Sequence, residues 1–359
     1  MVHFRRPCPA RKPAIVTCAA VAVLITSCSV PGEPPDQCAV PAQNRNVQLA
    51  SGSWTFLGPE GYDVTAVAQT EWGLYAGTSD HGLFGLDWAA QCWRPLGLDG
   101  IEVSAILFVP GDTNRLLVGV RPVGEETTTA AIFASDDQGR TWVPWDGGVA
   151  QREEKRAAVF SLAIDQGNGN PVYWGAAGAI LRSRDGGRTW EYVFGGPYYM
   201  GNGVNAIAVS PQPLGRIWAG GEGAIFNGIV LRSDDWGDTW QAFQPTMNAD
   251  DAVLALAIEP RNPNRVWVGM LGHVKRSDDA GETWITVLTT HSDVIGLVLL
   301  DGTLYAAATT LGLYRTRDGG VSWDTLVVPS DARGARNLVA DKHGGLLIPS
   351  QAGIWRFVP

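Results

Sequence analysis

Short runs of apolar residues alternate with polar turns along most of the chain. Runs such as VNAIAVSP and VLALAIEP are followed by a turn rich in Pro, Asn and Gly, and then by a second run, RIWAGG or RVWVGM. A third run, GIVLRS or HVKRS, leads into a polar octamer, and a fourth, WQAF or WITVL, leaves it. Alternation with a period of two residues predicts β-strands, and the turn residues predict the connections. Each unit is therefore expected to hold four strands.

The polar octamer occurs five times with small changes. Its copies are SDDQGRTW, SRDGGRTW, SDDWGDTW, SDDAGETW and TRDGGVSW. A worn copy, GLDWAAQCW, ends at Trp93, 49 residues before the first intact copy. Four-stranded units repeated at about 40 to 50 residues are the blades of a β-propeller. The octamer tryptophans, spaced by 48, 50, 44 and 39 residues, are Trp142, Trp190, Trp240, Trp284 and Trp323.

The first strands of the units give the number of blades. They are expected near Val64, Val103, Val159, Val204, Val253, Val294 and Asn337, which makes seven. The seventh unit has three strands only, whereas GSWTFLG at residues 52–58 aligns with VSWDTLV, the end of an octamer and its outer strand. We therefore predict an all-β, seven-bladed propeller over residues 51–359. Its N-terminal strand completes the last blade, so that no strand edge is left open at the closure.

The residue types of the octamer favour a structural role. Asp at the third position can accept backbone N–H groups of the residues that follow, and Gly at the fifth tolerates positive φ. Trp at the eighth position can bury its ring between strands. Because the octamer joins the third strand to the fourth, it lies opposite the loops that usually form propeller sites. The octamer aspartates are Asp137, Asp185, Asp235, Asp279 and Asp318.

The octamer is similar to the Asp-box, or BNR repeat, which defines a superfamily of β-propellers. Sialidases, sortilin-type receptors, xyloglucanase-type glycoside hydrolases and assembly factors of photosystem II carry it. Five intact copies and one worn copy cover nearly all of the chain after its N-terminal segment. The resemblance implies the fold, but it leaves the function open because the superfamily includes enzymes, receptors and assembly factors.

The first 27 residues resemble an export signal. Four basic residues, Arg5, Arg6, Arg11 and Lys12, precede an apolar run at Ala14–Ile25, which is shorter than the ~20 residues that a spanning helix needs. The sequence ITSC resembles a bacterial lipobox, so Cys28 is expected to become the acylated first residue of the mature chain. Residues 28–50 are rich in Pro, Gln and Asn and are predicted to form a flexible tether. We expect an exported protein that is lipid-anchored to the bacterial cell envelope.

Charge limits the kinds of partner that the protein can bind, and cysteine content predicts a disulfide. Loss of the signal leaves 23 basic against 36 acidic residues, a surface that repels nucleic acid and anionic membrane. Membrane attachment would therefore come from the acyl chains alone. Cys38 and Cys92 remain after processing, and in an exported protein they are expected to pair. No metal-binding motif and no cofactor motif is found in the sequence, and a monomer is expected.

Candidate ligand contacts lie on the loops that join the second strand to the third and one blade to the next. Loops longer than closure requires are common binding elements. The predicted contacts are Arg121, Arg152, Arg156, Tyr198, Tyr199, Asn202, Glu222, Asp251, His291 and Arg333. The wider set on this face includes Tyr62, Asp63, His81, His273 and Arg336. A protein or a polysaccharide is the expected partner.

Three functions stay open at this point. A sialidase needs three convergent arginines, and FRRP, which resembles its first arginine motif, lies in the signal. Xyloglucanase-type hydrolases carry a Tyr-Ala-x-Thr-Asp-type stretch whose Asp is the catalytic base, and LYAGTSDHG is similar, which implies this role for Asp80. Those enzymes carry the acid on a second propeller, however, whereas this chain has one. The photosystem II assembly factors share the overall plan. We expect a non-enzymatic binding or assembly scaffold, with a glycoside hydrolase and a photosystem II assembly factor as the alternatives.

Overall fold

The structure is a computed structural model. It describes residues 40–359 except 71–72, 111–113, 122–129, 148, 150–157, 166–170, 196–202, 224–226, 247, 249–250, 311 and 333. All described residues belong to a compact unit of residues 34–359. They form thirty β-strands, numbered β1 to β30 in chain order, in seven antiparallel sheets.

Blades 1 to 4 follow one another along the chain. Blade 1 holds β4 (Val64–Gln69), β5 (Leu74–Thr78), β6 (Leu83–Asp87) and β7 (Cys92–Pro95), with β1 (Val40–Pro41) on its outer edge. Blade 2 holds β8 (Glu102–Phe108), β9 (Leu116–Arg121), β10 (Ile132–Ser135) and β11 (Val143–Pro144). Blade 3 holds β12 (Ser161–Ile164), β13 (Val172–Ala176), β14 (Ala179–Ser183) and β15 (Glu191–Gly195). Blade 4 holds β16 (Val204–Val209), β17 (Ile217–Glu222), β18 (Gly228–Ser233) and β19 (Gln241–Phe243).

Blades 5 to 7 complete the ring. Blade 5 holds β20 (Val253–Ile258), β21 (Val266–Met270), β22 (His273–Ser277) and β23 (Ile285–Thr289). Blade 6 holds β24 (Val294–Leu300), β25 (Thr303–Ala308), β26 (Gly312–Thr316) and β27 (Asp324–Leu326). Blade 7 holds β28 (Val339–Asp341), β29 (Gly345–Ser350), β30 (Gly353–Val358), β3 (Gly52–Gly58) and β2 (Arg45–Leu49). The predicted all-β, seven-bladed propeller is confirmed.

The closure of the ring is also as predicted. Strand β3, from the N-terminal side, pairs antiparallel with β30, and Trp54 lies opposite Phe357. The rings of these two residues lie 4.6 Å apart and both are fully buried. The last blade therefore combines strands from both ends of the chain. Strand β3 gives β30, the last strand of the C-terminal segment, a partner on its outer edge.

Part of the predicted tether is strand instead. Strand β1 pairs with β7, with Val40 opposite Trp93, and β2 pairs with β3, with Val47 opposite Trp54. These two added strands cover the outer tryptophans of blades 1 and 7, which are completely buried. The composition of this segment predicts flexibility, but the apolar surface of the two rings gives its backbone a place to pair. Residues 28–39 lie outside the described part.

Close packing between blades depends on glycine in the second strands of blades 1 to 5. A Cβ on Gly220 of β17 would lie 2.3 Å from Val253 Cγ1 in blade 5, and a Cβ on Gly119 of β9 would lie 2.4 Å from Val159 Cγ1 in blade 3. The first-strand valine of each following blade thus fills the volume that a larger residue would need. Packing at this density leaves no room for an added methyl group.

Hydrogen bonds between first strands connect blades around the channel. Thr65 Oγ1 donates to the carbonyl of Val103 at 2.7 Å, and Ser104 Oγ donates to the carbonyl of Val159 at 2.6 Å. Ser161 makes the corresponding bond to blade 4. These bonds satisfy side chains that face the channel and link blades 1 to 4 in order.

Candidate functional site

The octamer carboxylates are fully occupied by their own turn. In the first intact copy, Ser135 Oγ donates to Asp137 Oδ1 at 2.7 Å and accepts the N–H of Gly139 at 2.7 Å. Asp137 also accepts the N–H of Thr141 at 2.9 Å and its hydroxyl at 2.7 Å. The same bonds recur in the other four copies. The Ser, Asp, Gly and Thr positions of the octamer therefore hold its own turn together.

The lowered pKa of an octamer aspartate agrees with this structural role. The hydroxyl of Thr283, its backbone N–H and the hydroxyl of Ser277 all bond to Asp279 and lower the pKa of that carboxyl to about 2. The octamer tryptophans are half-buried rather than fully buried, and Trp142 Nε1 donates to the carbonyl of Leu96 in blade 1 at 2.6 Å. The octamer thus closes its own hairpin, and in the first two intact copies its Trp also bonds to the preceding blade.

The opposite face opens onto a central channel. The first strands of blades 1 to 6 and the residues just before β28 of blade 7 line a cavity of about 460 Å³, which falls in the size range of small-molecule sites. Hydroxyl and amide side chains of blades 1 to 4 and 7 face this cavity together with two arginines. The polar lining residues are Thr65, Ser104, Arg121, Ser161, Asn205, Arg336 and Asn337.

Both arginines are held by carboxylates at the channel mouth. Arg336 makes a bidentate ion pair with Asp63, from Nε to Oδ1 at 3.0 Å and from Nη2 to Oδ2 at 2.6 Å. Arg121 Nη2 lies 2.7 Å from Glu102 Oε1, and its guanidinium lies over the ring of Phe160 at 5.6 Å. The hydrogen bond to Asp63 raises the pKa of Arg336, and Glu102 adds a smaller electrostatic contribution in the same direction.

Asp80 lies at the tip of the β5–β6 hairpin, beside these ion pairs. Its side chain is 60% exposed, and His81 Nδ1 lies 2.6 Å from its Oδ1. Ser79 Oγ donates to the same oxygen at 3.1 Å. Among the described residues, none donates a hydrogen bond to Asp80 Oδ2. The His81 ring packs edge-on against Tyr62 at 5.0 Å, so the imidazole is supported from the side.

The hairpin of Asp80 is joined to the channel mouth by backbone bonds. The N–H of Ser79 donates to the carbonyl of Asp63 at 3.0 Å, and the N–H of Gly100 donates to the carbonyl of Asp80 at 2.9 Å. Glu102 follows two residues after Gly100. The structure thus brings Asp80 and Arg121, two predicted site residues, into one region of blades 1 and 2. The Glu102 partner of Arg121 was not among the predicted residues, because strand pairing decides which carboxylate faces the arginine.

The other described candidates lie in different surroundings. Asp251 is buried, accepts the N–H of Ala252 at 2.9 Å, and lies 3.4 Å from His273 Nε2. Glu222 lines a narrow groove between blades 3 and 4. His291 is exposed in the loop before β24. These three residues belong to blades 4 to 6, whereas Asp80 belongs to blade 1.

The remaining candidates lie outside the described residues. They are Arg152, Arg156, Tyr198, Tyr199, Asn202 and Arg333, together with Cys28 and Cys38. Cys92 is disulfide-bonded. Within the described part of the chain, no group of three or more His, Cys, Asp or Glu side chains is arranged to hold a metal ion. In the same part, none of the helices is both long and apolar enough to cross a membrane.

Comparison with known proteins identifies xyloglucanases among the relatives. The xyloglucanase of Hypocrea jecorina is 27% identical over 340 residues, which cover 79% of this chain and 40% of that protein. The chain therefore spans less than half the length of this relative. No family model matches the chain.

Solved structures show the same fold. A YCF48 structure, bound to D1 peptide, superposes with a TM-score of 0.63 at 16% identity and covers 89% of this chain and all of its own. An ancestral GH74 enzyme superposes with a TM-score of 0.53 at 19% identity, covering 69% of this chain and 35% of its own. These likenesses establish the propeller architecture and not a function.

The relatives correct the expected function. The sequence pattern favoured a non-enzymatic binding or assembly scaffold, and this expectation is wrong, because the relatives found by sequence are xyloglucanases. That expectation rested on the single propeller counted in the sequence rather than on the stretch around Asp80, LYAGTSDHG. Paired catalytic carboxylates cannot be recognised from sequence when only one of them lies in a recognisable motif.

Proposed function

We propose that this propeller is a glycoside hydrolase that acts on a xyloglucan-type polysaccharide, with Asp80 as its general base. The observation that carries the proposal is the position of Asp80. It stands exposed at a hairpin tip beside the channel mouth, within the stretch LYAGTSDHG that resembles the xyloglucanase motif. The 27% identity to xyloglucanases over most of the chain supports the same substrate class.

The hydrogen bonds of Asp80 suit a base that activates water. Oδ1 is fixed by His81 and Ser79, whereas Oδ2 points to no donor among the described residues. A carboxylate with one oxygen held and the other accessible can accept a proton from water while keeping its orientation. In an inverting hydrolase that water attacks the sugar ring on the face opposite the leaving group, and the two carboxyl groups stand about 6.5–9.5 Å apart.

The general acid is not one of the neighbouring carboxylates. Asp63 and Glu102 each accept charge-assisted hydrogen bonds from an arginine. Protonating either carboxylate would cost its ion pair, so neither is suited to deliver a proton to the leaving oxygen. We therefore assign Asp80 alone, as the base, and assign the acid to a group outside this pair. The relatives that support the proposal are more than twice as long as the region they share with this chain.

Hydrolysis of xyloglucan by the purified protein tests the proposal. The wild-type chain is expected to release new reducing ends from the polysaccharide. Asp80→Asn should lower the rate about 10²–10⁴-fold, the usual contribution of a general base. Asp99→Asn is the matched control, because Asp99 is an exposed carboxylate next to Gly100 on the same face. No release by the wild type, or equal loss in both variants, would contradict the proposal.

We also propose that the protein is exported and anchored by lipid at Cys28. The support is the basic start, the short apolar run and the sequence ITSC. Metabolic labelling with a fatty acid in a bacterial host tests this, with Cys28→Ser as the comparison. Label should be found on the wild-type chain and be lost from the variant, and equal labelling of both would contradict the anchor.

A further inference from the structure

The channel mouth is asymmetric in a ring of otherwise similar blades. Asp63, Arg336, Glu102, Arg121 and Phe160, called the mouth band below, follow one another over blades 7, 1, 2 and 3. Two ion pairs at 2.6 and 2.7 Å link the charged members, and the guanidinium of the second pair lies over the aromatic ring. Among the residues that line the channel cavity, the charged ones are Arg336 of blade 7 and Arg121 of blade 2, whereas those of blades 4 to 6 are uncharged.

The fold does not require the charged pair of blade 2. Glu102 and Arg121 lie opposite each other at the end of the β8–β9 pair. At the corresponding place in blade 1, the N–H of Ser79 bonds to the carbonyl of Asp63, and in blade 6 the N–H of Thr309 bonds to the carbonyl of Asp293. A residue with a small hydroxyl side chain, Ser79 or Thr309, therefore makes the strand-end backbone bond at the position that Arg121 holds in blade 2. The larger arginine lines the channel while it pairs with Glu102.

The charge balance of the mouth band indicates the class of ligand. Two arginines are matched by two carboxylates, and the neighbouring Asp80 adds a negative charge. The complete chain carries a formal charge of −9. An anionic ligand would meet no net positive field here. Ion pairs of Arg with carboxylates offer planar donors and acceptors side by side, which can bond to neighbouring hydroxyl groups of an uncharged sugar.

We propose that the mouth band is a binding subsite for a neutral sugar residue, and that it selects against sugars carrying a carboxylate. Glu102 accepts from one hydroxyl group while Arg121 donates to the next, and Arg336 with Asp63 does the same on the other side. The cavity of about 460 Å³ behind the band admits a small saccharide. This inference rests on the proposed function in that the sugar is taken to be part of the substrate on which Asp80 acts.

Isothermal titration calorimetry with the full chain tests the subsite. The probes are neutral xyloglucan oligosaccharides and oligogalacturonides of equal length. The double variant Arg121→Ser with Glu102→Gln gives blade 2 the small residue of blade 1 and leaves no unpaired charge. Arg317→Ser is the matched control, because Arg317 is an exposed arginine in an ion pair on the octamer face. Thermal unfolding of each variant verifies that it is folded.

The wild type should bind the neutral oligosaccharides more tightly than the oligogalacturonides. The double variant should lose about tenfold or more in affinity for the neutral probe, the effect of one or two charge-assisted hydrogen bonds, and the control variant should not change. If the double variant fails to fold, Arg336→Ser with Asp63→Asn gives the same test on the other ion pair. No binding of the neutral probe, an unchanged affinity, or a preference for oligogalacturonides would overturn the subsite.

Failure of the subsite and failure of the proposed function can be told apart. If the oligosaccharide binds through the mouth band but no xyloglucan is hydrolysed, the hydrolase proposal fails and the subsite stands. If xyloglucan is hydrolysed and the double variant has an unchanged KM, the subsite fails and the hydrolase proposal stands.

Discussion

Gly220→Ala tests the packing between blades on which the channel depends. The new Cβ would lie 2.3 Å from Val253 Cγ1 and 3.0 Å from its Cβ, closer than unbonded carbon atoms approach. Val253 is completely buried, so its side chain cannot turn towards solvent. Overpacking of this kind costs typically about 1–3 kcal/mol of unfolding free energy. Gly220 lies in ordinary strand conformation, so the cost comes from this contact and not from φ.

A double-mutant cycle isolates that contact. Val253→Ala alone removes two buried methyl groups, at about 0.8 kcal/mol each plus a cavity contribution. In the double variant the alanine of position 220 occupies part of the space that the valine leaves. The double variant should therefore lose less unfolding free energy than the two single variants lose together, by about 0.5–3 kcal/mol. Urea unfolding followed by tryptophan fluorescence measures all three variants. Strictly additive costs, or a Gly220→Ala protein as stable as wild type, would refute the packing argument.

Two further predictions concern stability and covalent structure. The pKa of Asp279 is lowered from 3.8 to about 2, so its hydrogen bonds contribute stability above about pH 4, and that contribution is lost as the pH falls towards 2. Asp279→Asn should be less stable than wild type at pH 6 by thermal unfolding, and the difference should shrink between about pH 4 and pH 2; a constant difference would contradict the assignment. Peptide mapping without reduction should recover a disulfide-linked peptide of Cys38 and Cys92. Another partner for Cys92 would contradict the predicted pairing.

The fold could be predicted from the sequence because its signals are local and repeated. An octamer with Ser, Asp, Gly and Thr at fixed positions closes one hairpin by itself, as the bonds among Ser135, Asp137 and Thr141 show. Its spacing therefore marks the length of a blade, and the first strands of the units give the number of blades. The closure followed from one alignment, in which Trp54 ends a unit that has no blade of its own and pairs beside Phe357.

The remaining features depend on contacts between distant segments. The segment of β1 and β2 looks flexible by composition, and only the buried rings of Trp93 and Trp54 explain why it pairs. The octamer tryptophans of blades without an added strand stay half-buried for the same reason. The ion pair of Arg336 with Asp63 joins residues 273 positions apart, across the closure. No local pattern marks such a pair.

The candidate site was only partly predictable. Asp80 and Arg121 were predicted from a motif and from loop position, respectively, whereas Glu102 was not predicted because it looks like an ordinary charge at the start of a strand. Its role depends on lying opposite Arg121 in the β8–β9 pair. Which loop residues share one side of a ring is decided by blade order and strand register together, and a single sequence shows only the first.

Rescue of Asp80→Ala by sodium azide tests the central claim most directly. Azide can take the place of the water that Asp80 is proposed to activate, and it needs no base to attack the sugar. With xyloglucan oligosaccharide as substrate, the variant should be nearly inactive alone, and azide should restore turnover and yield a glycosyl azide of inverted configuration. A variant as active as wild type, or one that azide leaves inactive while the wild type hydrolyses the substrate, would show that Asp80 is not the base.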